Sequence, residues 1–166
     1  MSAVPLLQKL IVLKLMNLCK HPLTSDQITV YLVENGWSDY LLSQQLKLEL
    51  AESHLIQTAD TLPFFCTLTP EGYEAITMFE AQIPAFLSDQ VEAFVRENRE
   101  RIFRESAVFV HVIANDDAFR VNVQIYTGLT LVVDLNIHRW SRESALQAAD
   151  EMRANAYDYF SFLLQK

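Results

Sequence analysis

The apolar residues at the start of the chain fall on most faces of a helix. This segment runs from Val4 to about Cys19, and Pro5 stands where proline forfeits no intrahelical hydrogen bond. A helix that is apolar on most sides is typical of a protein interior. We therefore expect this segment to be the buried spine of an N-terminal domain.

Two further helices follow with a short turn between them. Thr24 and Gln27 match a capping box, which predicts a helix that begins at about residue 25. Gly36 is suited to end that helix because glycine adopts a left-handed backbone at little cost. Ser38 then predicts the cap of a helix that runs to about Ser53. Two helices joined in this way are typical of a helix-turn-helix.

A short hairpin is predicted after the second of these helices. Residues 55–56 and 64–68 are rich in strand-forming side chains and flank a loop at 59–63. Thr69 with Pro70 behind it then predicts the start of another helix. This order of elements is that of a winged helix-turn-helix, in which the hairpin is the wing.

A charged helix is expected to link two domains. Ile83-Pro84 predicts a break, because proline disfavours a helical conformation in the residue before it. Ser88 predicts a new cap, and residues 89–105 then form a long helix with alternating charges. Its arginines are the main basic cluster of the chain, although interleaved glutamates favour intrahelical ion pairs: Arg96, Arg99, Arg101 and Arg104.

From Ala107 the apolar pattern changes to a period of two. Residues 108–114, 119–127 and 129–139 predict three antiparallel strands with tight turns. Ser141 predicts the cap of a last helix, whose apolar stripe could cover the sheet. The sequence thus predicts an α+β protein with a winged helix-turn-helix domain (1–82), a linker helix (83–105) and an α+β domain (106–166).

Composition narrows the classes of protein that remain. The net charge is -8, and residues 1–87 hold four lysines against nine acidic residues, which is unfavourable for binding to phosphates. No apolar run approaches the roughly 20 residues of a membrane span, so no membrane association is expected. Cys19 and Cys66 are too few for a disulfide framework, so the sequence predicts a reducing, cytoplasmic location.

The helix after the turn is the candidate reader of DNA. Leu42, Leu46 and Leu50 form one apolar stripe, and Leu41 with Leu48 forms another on nearly the opposite side. The polar arc that holds Gln44 and Lys47 could reach base edges if it faces outward, whereas the arc that holds Glu49 and Glu52 would repel phosphate. The candidate DNA-binding residues are Ser38, Tyr40, Ser43, Gln44 and Lys47.

No pattern in the sequence predicts an enzyme. The histidines His21, His54, His111 and His138 have no metal-ligand spacing, and the chain lacks a phosphate-binding loop or a nucleophile elbow. We expect no catalytic residue, no metal and no cofactor. A small-molecule pocket in the C-terminal half is a further hypothesis, with ordinary core packing as the alternative. The aromatic residues available for it are Tyr126, Trp140, Tyr157 and Tyr159.

The chain resembles a bacterial family known as domain of unknown function 4364 over its full length. The residues that carry this resemblance are Pro22-Leu23-Thr24 with Gln27-Ile28, Asn35-Gly36, Asp39-Tyr40, Gln44-Gln45, Glu49-Leu50, Leu55-Ile56, Leu68-Thr69 with Gly72, and Ile83-Pro84. Members of that family resemble winged-helix transcriptional regulators. The resemblance implies a cytoplasmic regulator and assigns no catalytic or ligand-binding residue.

Two functions from different classes follow. The first is a transcriptional regulator that binds double-stranded DNA as a homodimer, paired through the N-terminal or the linker helix. Under this hypothesis, Lys47→Glu with Gln44→Ala should weaken DNA binding without unfolding the protein. The second is a winged-helix module that binds protein instead of DNA. Lysines gathered on one face would favour the first, and exposed Leu41 and Leu48 beside carboxylates would favour the second.

Overall fold

The chain folds into two compact units of mixed α and β structure. The computed structural model describes residues 5–164, so the predicted helix start at Val4 and the last two residues lie outside the described range. One unit extends to Ile102 and the other begins at Phe103. Within residues 5–164 there are eight α-helices and two three-stranded antiparallel sheets. The α+β class predicted from the sequence is confirmed.

The first unit is mainly helical. Its elements are α1 (Leu6–Cys19), β1 (Leu23–Thr24), α2 (Ser25–Glu34), α3 (Tyr40–Glu52), β2 (Ile56–Thr58), β3 (Phe65–Leu68), α4 (Pro70–Phe79), a 3₁₀ turn (Glu80–Gln82) and α5 (Ala85–Glu97). The small sheet has the order β1-β3-β2, with Leu23 opposite Cys66 and Ile56 opposite Leu68. The sequence did not predict β1, because two residues are too few to carry a strand pattern.

The caps of α2 and α3 follow the local sequence with one correction. The Thr24 hydroxyl accepts from the Gln27 backbone N–H at 3.0 Å and the Gln27 side chain accepts from the Thr24 N–H, so the predicted capping box is present. The cap of α3, however, is Asp39 and not Ser38. Its carboxylate accepts from the Leu42 N–H at 2.8 Å, a charge-assisted bond to a helix N-terminus.

Helix α1 is the centre of the first core, as its pattern predicts. Every residue from Leu10 to Met16 is buried, including Lys14, which is only 2% exposed. The Lys14 ammonium forms ion pairs with Glu80 and, at 2.9 Å, with Glu92. These two charge-assisted bonds raise its pKa against the opposing effect of burial, which is the largest single influence. Lys14 therefore ties α1 to the 3₁₀ turn and to α5.

The predicted linker helix differs from the one observed. Helix α5 begins directly after Pro84, four residues before the expected start, and the chain breaks at Asn98 before α6 (Arg99–Ala107). The Asn98 side chain donates to the Phe94 carbonyl at 2.9 Å, so it competes with the backbone for helical hydrogen bonds. Val91, Phe94 and Val95 are buried in the first core. The apolar side of α5 is thus used within the unit.

The second unit is a sheet covered on one face by a helix. Its elements are β4 (Val108–Asn115), β5 (Ala118–Thr127), β6 (Thr130–Arg139), α7 (Arg142–Tyr159) and α8 (Ser161–Leu164), and the sheet order is β4-β5-β6. The three predicted strands are confirmed. Val121, Val123 and Ile125 of β5 pack with the alanines of α7, because small residues let the helix approach the sheet closely. In the described range, no helix is long and apolar enough to cross a membrane.

Both cysteines are expected to resist alkylation in the native protein. Cys19 and Cys66 are free and buried. Burial raises the pKa of Cys19 to about 12, and it also raises the pKa of Cys66. Because the thiolate is the reactive species, little reaction should occur at neutral pH. Mass spectrometry after a pulse of iodoacetamide should find both thiols unmodified, and denaturant should make both reactive. Rapid native labelling of either cysteine would contradict this buried placement.

Candidate functional site

Helix α3 and the turn before it contain the residues that the sequence singles out. Helix α3 is anchored in the core by Leu46 and Leu50, which are fully buried. An ion pair of 2.8 Å between Lys9 and Glu49 adds a contact to α1. These anchors determine which side of α3 faces outward.

Lys47 lies between α2 and α3 and not at the surface. It is 7% exposed, and its ammonium donates to the Ser25 carbonyl at 3.1 Å, the Ser25 hydroxyl at 2.6 Å and the Thr29 hydroxyl at 2.8 Å. Burial lowers its pKa because the charged form loses hydration. The position of Lys47 therefore does not support the prediction that it reaches a DNA groove. Its ammonium donates its hydrogen bonds to α2 instead.

The other candidate residues are divided between the interior and the surface. Ser43 is fully buried and donates to the Asp39 carbonyl at 2.7 Å, so its hydroxyl is not available to a phosphate. Ser38 is half-buried and also donates to that carbonyl, at 3.1 Å. Gln44 is exposed, although its amide donates to Thr29 at 3.1 Å. Tyr40 is 63% exposed.

The outward face of α3 is centred on its second leucine stripe. Leu41 is 75% exposed and Leu48 is 59% exposed, and Gln45 and Glu52 lie beside them. Neither polar arc considered from the sequence is therefore the centre of the exposed face. The sequence showed two leucine stripes on nearly opposite sides of α3, but it did not show which of them is buried.

An apolar groove beside Tyr40 extends this surface onto α2. Val30 and Val33 are exposed on α2 and line a groove of about 470 Å³ together with Tyr40. Two carboxylate residues, Asp26 and Glu34, line the same groove. We call Val30, Val33, Tyr40, Leu41 and Leu48 the α2–α3 surface. Single exposed apolar residues are ordinary, but several of them on two consecutive helices beside a groove are typical of an interaction site.

The part of the chain that forms this surface has few basic residues. Between Lys20 and Arg96, Lys47 is the only lysine or arginine in the sequence, whereas the same stretch holds eleven acidic residues. The loop before β3 contributes Asp60 and no base. Arg101 reaches this side of the unit, but its guanidinium binds both oxygens of Glu34 at 2.9 and 3.0 Å. The surface is thus apolar with an acidic border.

Among the described residues, the second unit does not form a metal site from the histidines considered from the sequence. His111 lies opposite Asn122 and His138 lies opposite Arg120, and no three metal-ligating side chains meet among the described residues. Tyr126 packs edge-on against Phe109 at 5.6 Å on the face away from α7. Tyr157 belongs to α7, which packs on the opposite face, so Tyr126 and Tyr157 do not line a common pocket.

The fold and this surface define a class of protein: a two-unit α+β protein whose helical unit exposes an apolar, acid-bordered surface on two consecutive helices. The model of the family described as domain of unknown function (DUF4364) matches residues 8–166. The chain therefore belongs to this family, as the resemblance in the sequence predicts. No curated protein and no solved structure matches the chain.

Proposed function

We propose that the first unit is a winged helix-turn-helix used as a protein-interaction module. The order α1-β1-α2-α3-β2-β3, with α2 and α3 joined by a turn and β2 and β3 forming a hairpin, supports this assignment. In this interpretation α3 is the recognition helix and the β2–β3 hairpin is the wing. The α2–α3 surface is then the binding site.

The buried position of Lys47 carries the choice of protein over DNA. Binding to DNA depends on lysine and arginine side chains that displace counterions from phosphates. The helix-turn-helix and the wing contain one such residue, and its three donors are used within the unit. Asp26, in the first turn of α2, and Glu52, on the outer face of α3, would instead repel phosphates.

Homodimer formation has little support from the helices first considered for it. The positions from Leu10 to Met16 of α1 and the apolar side of α5 are already buried within the first unit. Light scattering of the purified chain gives its oligomeric state directly. A dimer that is lost on changing Leu41 and Leu48 would identify a second copy as the occupant of the α2–α3 surface.

The chemistry of the surface favours a basic, amphipathic partner. Leu41 and Leu48 lie two turns apart on α3, a spacing that fits apolar side chains repeating along a partner helix. The bordering carboxylates Asp26 and Glu52 complement lysine or arginine on the polar side of such a helix. An acidic partner would meet repulsion at the same border.

The binding test uses a labelled helical peptide with leucine at every third or fourth position and lysine elsewhere. We expect the full chain to bind it in fluorescence anisotropy, and to bind a glutamate version far more weakly. Leu41→Ser with Leu48→Ser should weaken binding at least about tenfold, because each leucine loses about 1.5–3 kcal/mol of burial. Met78→Ser is the matched control, since Met78 is equally exposed but lies on α4.

A parallel titration with duplex DNA separates the two functions. Duplexes of random sequence and from the upstream region of its own gene should show no binding even at low salt. Binding that falls steeply with salt would overturn the proposal and favour a DNA-binding regulator. Equal binding of the lysine peptide by the serine double variant would remove the α2–α3 surface as its site.

A further inference from the structure

The sheet of the second unit has an open face with a defined polar arrangement. Helix α7 packs on the face that carries Val121, Val123 and Ile125, so the alternate positions of each strand point away from it. The register places residues on this open face in rows across β4, β5 and β6. The rows are Ile113–Arg120–His138, His111–Asn122–Asn136 and Phe109–Gln124–Asp134.

Arg120 lies in the middle of the first row. Its cross-strand neighbours are Ile113 and His138, and His111 is its diagonal neighbour on β4, within reach of a long side chain. Three side chains that can carry positive charge, Arg120, His138 and His111, are therefore neighbours on this face. The remaining neighbour, Ile113, is apolar.

The Arg120 Nε–H is a buried donor without an acceptor. Its Nε atom is inaccessible to solvent and has no hydrogen-bond partner among the described residues. Buried donors are nearly always paired, because an unpaired one loses its bond to water without compensation. The guanidinium therefore lacks an acceptor at a place where the sheet face is open.

The acidic side chains of the sheet and its turn do not lie in the row of Arg120. Asp134 is two rows away and accepts from the Asn122 amide at 2.8 Å. Asp116 and Asp117 lie in the turn between β4 and β5, past the strand ends at Asn115 and Ala118. Arg104 pairs with Asp158 and Arg153 pairs with Asp150, so these two acidic residues have other partners than Arg120.

We propose that Arg120, His111 and His138 form a binding site for the oxoanion group of a small molecule. The planar fork of a guanidinium matches the two oxygens of a carboxylate or a phosphate. A small shift of the side chains that now cover the Nε–H would let an oxoanion provide the acceptor that it lacks. The two imidazoles contribute further donors and, when protonated, positive charge. The site lies in the second unit and does not depend on the binding function proposed for the first.

The Arg120 Nε–H signal in a ¹H–¹⁵N NMR spectrum of the full chain reports on the site, and its loss in Arg120→Gln assigns it. We expect this signal to shift and to saturate with sodium phosphate or with sodium acetate, but not with sodium chloride at equal ionic strength. Saturation by phosphate alone would identify a phosphoryl ligand, and saturation by acetate alone a carboxylate ligand.

Variants then test which residues hold the anion, with shifts of the backbone amides of β5 as the readout. Arg120→Gln should weaken binding at least about tenfold, as expected for the loss of charge-assisted hydrogen bonds. His111→Gln and His138→Gln should each weaken it several-fold. The control is Arg142→Gln, which removes an exposed arginine at the start of α7.

Two results would overturn the site. One is a shift that grows linearly with salt and is the same for chloride, which indicates screening only. The other is equal weakening by Arg142→Gln and Arg120→Gln. If Arg120→Gln does not fold, the two histidine variants decide, since unchanged affinity in both would exclude the arrangement proposed.

Discussion

Gly72→Ala is expected to prevent the first unit from folding. A Cβ atom at this position would overlap the Leu55 carbonyl oxygen and would lie 2.8 Å from a methyl group of Leu68. That carbonyl cannot easily move, because it accepts from the Thr69 N–H at 3.2 Å and from the Thr69 hydroxyl at 3.0 Å. Overlap with fixed backbone should cost several kcal/mol, a large part of the stability of a small unit.

The measurement is urea unfolding followed by circular dichroism and by tryptophan fluorescence. Trp37 is buried in the first core and its emission should change, whereas Trp140 is already exposed and should change little. Gly36→Ala is the matched control. Gly36 has a φ of +69° but nothing within 4 Å of an added Cβ, so only backbone strain of about 1 kcal/mol should result. A Gly72→Ala protein as stable as Gly36→Ala would mean that α4 does not approach Leu55 as closely as described.

Lys47→Glu is expected to destabilise the protein by about 3–5 kcal/mol. The substitution would place a carboxylate among the Ser25 carbonyl and the hydroxyls of Ser25 and Thr29, where an ammonium now donates three hydrogen bonds. The carbonyl would lose a donor and face a negative charge. The sequence alone led to the expectation that this substitution leaves folding intact, and the buried position of the side chain reverses it.

The free energy of unfolding of Lys47→Glu is measured by urea unfolding and compared with that of two further variants. Lys47→Met keeps most of the apolar stem and removes the charge, so it should cost less than Lys47→Glu. Gln45→Glu introduces a carboxylate on the exposed side of the same helix and should change the free energy of unfolding by less than about 0.5 kcal/mol. Equal stability of Lys47→Glu and Gln45→Glu would place Lys47 at the surface and reopen a direct role in binding phosphates.

The local sequence was sufficient to predict a helix start or a strand wherever short-range interactions determine it. The capping box of Thr24 and Gln27, the cap at Ser141 and the proline at the start of α4 each act within a few residues, so their patterns predicted helix starts correctly. Alternation with a period of two likewise predicted the three strands of the second unit. Two helix caps were predicted wrongly, at Ser38 and Ser88. In each case a nearby residue, Asp39 or Pro84, was the stronger signal for the helix start.

The order and type of the elements were thus determined by the sequence, because helical and strand periodicity and end signals are properties of the local chain. The direction in which α3 faces was not, because it has two leucine stripes and either could be buried by itself. Only packing against α1 and α2 decided that Leu46 and Leu50 turn inward, that Lys47 is enclosed, and that Leu41 and Leu48 remain exposed. This packing determines which side chains of α3 are available to a partner.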